Sequence, residues 1–178
     1  MGLFEKIFGS RKERITAKQT FQMLDGYRPV FHTWGGEIYE SELVRAAIDA
    51  RARHISKLNI ITEGSAKPQL QNALKQGPNQ WQTWSQFMYR LSTLLDVHNT
   101  AFIVPVYDTY GEISGIFTPL PNACEIVQYN GVPYLRYEFA HGQKAAIELE
   151  YCGIMPRMQY SHDFFGESNS ALIPTMDL

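Results

Sequence analysis

The chain has 178 residues, of which 44% are hydrophobic and 13% aromatic, and its formal net charge is −2. That length and apolar content fit one globular domain with a sizeable core and exclude wholesale disorder. The near-neutral total argues against a broadly basic nucleic-acid binder, and two distant cysteines, Cys124 and Cys152, argue against a structural zinc site or a disulfide scaffold.

The charge is uneven along the chain. Lys6, Arg11, Lys12, Arg14 and Lys18 outnumber Glu5 and Glu13, so a basic arm precedes a mildly acidic body. Such an arm reads either as an electrostatic contact with an acidic partner or as a solvated terminus. The opening residues are too few and too charged for a signal peptide, and Lys6 stands where a myristoylation signal requires Ser or Thr. Leu3, Phe4, Ile7 and Phe8 could line one side of a short amphipathic turn or stay unstructured. No apolar run approaches membrane-spanning length.

Residues 16–24 read as a short helix stopped near Asp25-Gly26, and residues 25–37 as a loop. Arm, short helix and loop together make a first unit, 1–37. A long helix is predicted from Ser41 to Leu58, with Val44, Ala47, Ile48, Ala52, Ile55 and Leu58 as its apolar stripe. Residues 59–62 read as a short strand. Leu70, Ala73 and Leu74 suggest a helical turn, which Gly77-Pro78-Asn79 breaks. A second long helix is expected over Gln80–Val97, its stripe Trp81, Trp84, Met88, Leu91 and Leu95 recurring at helical spacing.

From Ala101 the period changes to that of strands. Ala101–Val106, Ile113–Leu120, Cys124–Tyr129 and Val132–Phe139 are predicted strands, and Asn130-Gly131 is a strong hairpin signal. Ile147, Leu149 and Tyr151 alternate with Glu148 and Glu150, as in a half-buried strand. Helices followed by an antiparallel meander define an α+β domain over 38–166. Residues 167–178 read as the start of a further helix, which suggests a piece of a longer polypeptide.

No candidate catalytic, cofactor-binding or metal site emerges, and no cofactor is implied. There is no phosphate-binding glycine loop. His162-Asp163 is the sole adjacent His/acid pair, and a hydrolase would need Ser161 or Ser168 as its nucleophile. A loop histidine bonded to backbone near Phe164-Phe165-Gly166 is the stronger reading. Glu148 and Glu150 share a strand face, where a solvated role outweighs an acid–base pair. Asn99, after His98, sits where it would satisfy helix-end carbonyls.

The order of motifs resembles the portal proteins of tailed bacteriophages. Arg45-Ala46-Ala47-Ile48-Asp49, within the Tyr39–Leu58 stretch, is similar to that family's early helix, and Gly77-Pro78-Asn79 to the turn before its next helix. Trp84-Ser85-Gln86-Phe87, Leu94–Phe102, Tyr110–Ile113 with Pro119-Leu120-Pro121, and Phe165-Gly166-Glu167-Ser168 with Ala171-Leu172 follow in the family's order. His98 replaces the usual glycine, and Asn169 stands where proline is common. The resemblance implies a wing-type α+β domain ahead of a stem helix begun at 167–178. It also implies a structural, non-enzymatic subunit of a ring, typically a dodecamer, in the virion at one capsid vertex, assembled in the host cytoplasm. Partners implied are other copies of the chain, the major capsid protein and scaffold, the terminase large subunit and head–tail connector proteins. Double-stranded DNA would pass through the channel, with no membrane involved. A capsid adaptor outside the portal family, or a hydrolase using His162-Asp163, are the alternatives.

Overall fold

The computed structural model describes residues 22–23, 39, 41–61, 68–107, 110–138 and 144–169. Within them the chain is α+β, with helices preceding antiparallel strands in two sheets. Helix α1 is Glu42–Ile55, α2 is Pro68–Gln76 and α3 is Trp84–His98. The strands are β1 (Gln22–Met23), β2 (Thr100–Tyr107), β3 (Ile113–Phe117), β4 (Cys124–Tyr129), β5 (Val132–Glu138), β6 (Lys144–Glu148) and β7 (Gly153–Pro156). One sheet has the order β3-β2-β7 and the other β1-β4-β5-β6.

Strand β2 organises the layers. Successive side chains of a strand point to opposite faces. Ala101 and Ile103 therefore pack with Phe87, Leu91 and Leu94 of α3. Phe102 and Val104 point the other way, into a core shared with Cys124, Ile126, Leu135, Tyr137 and Ala145. A strand covered on both faces needs a continuous apolar run rather than alternation, and Ala101–Val104 supplies it. Helix α1 packs on another side of α3, burying Ile48 and Ala52, four residues apart on one face. There the Tyr89 hydroxyl donates to Asp49 Oδ1 at 2.7 Å.

Local chemistry explains the element ends. Thr83 caps α3: its Oγ1 accepts from the Gln86 amide at 3.3 Å, and its own amide donates to Gln86 Oε1 at 2.9 Å. This reciprocal capping box fixes the first turn at Trp84. Asn130 and Gly131, with φ of 50° and 80°, give the left-handed pair that a two-residue hairpin requires between β4 and β5. The Gly77-Pro78-Asn79 turn lies along the edge of β3. The Ile116 amide donates to Pro78 O at 2.6 Å and Asn79 Nδ2 donates to Ile116 O at 2.9 Å, so that edge is covered.

The structure corrects several expectations. Gln22 and Met23, assigned to a helix over 16–24, are instead a strand paired with β4; the rest of that segment, the basic arm, its amphipathic start and residues 170–178 lie outside the described residues. Asn59–Ile61 form no strand, and Ile61 is 70% exposed. Because the capping box starts α3 later than Gln80, Trp81 falls outside the helix and is 68% exposed. The fully buried face of α3 runs through Phe87, Leu91, Leu94 and Val97, with Trp84, Met88 and Leu95 packed at its margin. The single meander is two sheets: β3 and β4 are not paired, the 3-10 turn Pro121–Ala123 standing between them, and β7 crosses back to pair with β2. Glu148 and Glu150 do not share a strand face, since a 3-10 turn, Leu149–Tyr151, begins after Glu148.

Candidate functional site: a polar junction at the end of α3

Helix α3, strands β2 and β7 and the segment 157–169 converge on Asn99. This residue ends α3 in the left-handed conformation, with φ of 51°, and is only 2% exposed. Asparagine tolerates that backbone region better than most residues. Its Nδ2 donates to Glu167 O at 2.8 Å and to Asn169 Oδ1 at 2.6 Å, while its carbonyl accepts from the Arg157 amide at 2.7 Å. Asn169 Nδ2 in turn donates to Asp96 O at 3.1 Å and Val97 O at 3.3 Å. The orphan carbonyls of the last turn are thus satisfied from a residue some seventy positions away.

Thr100, fully buried, accepts the Gly166 amide on Oγ1 at 2.8 Å. A Cβ at Gly166 would collide with the carbonyl oxygens of Arg157 and Asn99, so the close approach of two backbones requires glycine there. Asp96 holds the periphery. Its Oδ1 accepts from Arg51 Nη1 of α1 and from Arg157 Nη1 at 2.5 Å, and its side chain is 7% exposed. Its other oxygen, Oδ2, is buried without a hydrogen-bond partner.

Of the residues named for the alternative hydrolase reading, Ser161 is bonded elsewhere. Ser161 donates both its amide, at 2.7 Å, and its hydroxyl to Glu167 Oε1, not to His162. These two bonds, aided by the nearby His162 charge, hold the Glu167 carboxyl below its usual range. The His162 carbonyl accepts from Gln159 Nε2 at 2.9 Å. His98 is half-buried, and desolvation lowers its pKa, favouring the neutral imidazole. Cys124 and Cys152 are free thiols packed in the core between the sheets. Burial raises both pKa values, that of Cys152 to about 12, so neither has the activated thiolate of a nucleophile. Among the described residues no three His, Cys, Asp or Glu side chains gather as metal ligands would.

Sequence reasoning placed Asn99 at a helix end but missed Asp96, Arg157, Gly166, Glu167 and Asn169 as members of the same junction. The one available signal was the pairing of an unexpected Asn169 with a helix ending in His98-Asn99.

No protein-family model matches the chain, and no curated protein matches it. Solved structures do. A chain in the neck of an empty gene transfer agent (GTA) particle, computed with C6 symmetry, superposes with a TM-score of 0.65 at 14% identity over 84% of this chain and 44% of its own length. The virion of the native GTA particle contains one with a TM-score of 0.64 at 14% identity, covering 84% and 43%. The neck of the native particle, computed with C12 symmetry, gives 0.64 at 15% identity, again over 84% and 43%. The chain shares its fold with a component of these phage-like particles and spans less than half the length of the chains it matches.

Proposed function

We propose that this chain is a structural, non-enzymatic subunit of a portal-type ring in the neck of a phage-like particle, its residues 38–166 forming the wing. The observation that carries this reading is the fold match over 84% of the chain to components of symmetric particle necks. The ordered motifs over roughly residues 39–178 resemble the portal family and support this reading independently of the superposition. On this reading residues 1–37 are a basic arm, and residues 167–178 lead into the stem. Copies of the chain surround a channel for double-stranded DNA at one capsid vertex of the virion. Capsid and scaffold, terminase and head–tail connector proteins are the other partners. The junction at Asn99 then sets how the wing is joined to the stem.

The test is electron microscopy and native mass spectrometry of the protein produced from its complete reading frame. Closed rings with a central hole are expected. A strictly monomeric protein across micromolar concentrations would sink the proposal.

A further inference from the structure

Charge is segregated along β2. At its start, Thr100 pairs with Pro156, and Arg157 follows immediately. Arg157 and Arg51 share the Asp96 carboxylate, which is buried, while their own side chains remain 45% and 46% exposed. The same end of α1 carries Arg53, 71% exposed, followed by exposed His54 and Lys57. The carboxylates that answer these cations, Asp49 and Asp96, are 29% and 7% exposed, so the end of α1 with Arg157 presents cations; on the adjoining segment the Glu167 carboxyl is turned to Ser161 and Asp163 is exposed.

The other end of β2 is acidic. Tyr107 pairs with Ile113, whose neighbour Glu112 is exposed. Strand β7 runs antiparallel to β2 with Gly153 opposite Ile103, so the 3-10 turn just before it, which bears exposed Glu150, lies toward this end. Burial, together with Tyr151, Cys152 and Glu148 close by, raises the Tyr107 pKa. Neither residues 107–115 nor residues 147–153 contain a Lys or Arg. Eight residues of strand separate the poles by roughly 23 Å.

We propose that these poles are the two halves of a head-to-tail contact between copies of the chain. The Arg51, Arg53, Lys57 and Arg157 end of one copy would meet the Glu112 and Glu150 end of the next. This rests on the ring reading above. A ring needs a heterologous interface built from two different patches. Patches of opposite sign on opposite ends of one molecule meet that need and repel the head-to-head and tail-to-tail alternatives. Single exposed ion pairs contribute little to affinity. The poles act chiefly on encounter and orientation.

The experiment is a charge swap in the protein from its complete reading frame. Three variants are compared by sedimentation velocity and electron microscopy near physiological salt: Arg53→Glu with Lys57→Glu, Glu112→Lys with Glu150→Lys, and all four together. Each reversed pair is expected to raise the concentration needed for rings by at least about tenfold, with recovery in the fourfold variant. Added salt should weaken assembly of the unaltered protein. Circular dichroism checks folding, and the milder pair Arg53→Gln with Lys57→Gln should show a smaller loss in the same direction. Rings indifferent to the reversals, or lost in each and not recovered in the combination, overturn this contact alone. An unaltered protein that forms no ring overturns the ring reading, and this contact with it.

Discussion

The core between the two sheets and the junction at Asn99 adjoin along β2, yet different forces hold them. The core is apolar: Phe102, Val104, Ile126 and Leu135 are almost wholly buried and make contacts with no directional requirement. Phe165 links the two regions, meeting Phe102 edge-on at a centroid distance of 5.9 Å. The junction is built from backbone carbonyls, two carboxamides, a hydroxyl and a shared carboxylate, each needing a partner at a set distance and angle. The difference teaches that volume governs one region and bonding geometry the other. Isosteric changes should therefore be tolerated in the core and penalised in the junction.

The largest effect expected is in the core. Phe102→Ala should cost about 3–5 kcal/mol in chemical denaturation, whereas Phe102→Leu, which retains much of the volume, should cost less. A penalty from Phe102→Leu as large as that from alanine would erase the proposed contrast. Next comes Gly166→Ala, expected to cost about 1–3 kcal/mol or more, because one methyl group displaces two backbone strands. Asn99→Asp changes almost no volume but replaces both donors with a carboxylate facing two oxygen acceptors. It should cost about 1–3 kcal/mol, and Asn99→Gly, which keeps the left-handed backbone, less. A neutral Asn99→Asp variant would show that the junction is packed rather than bonded.

A pH scan separates the regions by sign. Cys124, Cys152 and Tyr137 all lie in the core with pKa values raised chiefly by burial. A raised folded pKa means the contribution is fully present below the unfolded value, near 9 for the thiols, and is lost as pH rises through the folded value, about 12 for Cys152. Melting temperature should therefore fall from about pH 9 upward, as ionisation opens the core. The smallest effect belongs to Glu167, whose lowered pKa stabilises above the usual carboxylate range and is lost on acidification. Ser161→Ala should raise the Glu167 pKa in an NMR titration with little change in stability. An unmoved titration would disconnect Ser161 from it.

Much of the fold was legible because local chemistry and tertiary packing agreed. The hairpin at Asn130-Gly131, the exact span of β4 and the apolar run opening β2 all follow from residues close in sequence. Boundaries failed where one side chain decided them. The Thr83–Gln86 capping box was present in the sequence and, once recognised, places the start of α3 and ejects Trp81. Strand β7 was invisible because Gly153-Ile154-Met155-Pro156 carries no alternation, and its pairing with β2 comes from across the chain. The junction was illegible for the same reason: the bonds joining Asp96, Asn99 and Thr100 to Arg157, Gly166, Glu167 and Asn169 cross some sixty to seventy intervening residues.

The Asn169 carboxamide grips the last turn of α3, and this makes the helix a lever. A helix of 15 residues is about 22 Å long. Pivoting it by about 5° around its Trp84 end would sweep the Asn99 end through roughly 2 Å. Because Asn169 is bonded to the Asp96 and Val97 carbonyls, it would be carried along. A push on α1, coupled to α3 through Asp49–Tyr89 and Arg51–Asp96, would thereby be felt at Asn169 as a displacement of the chain.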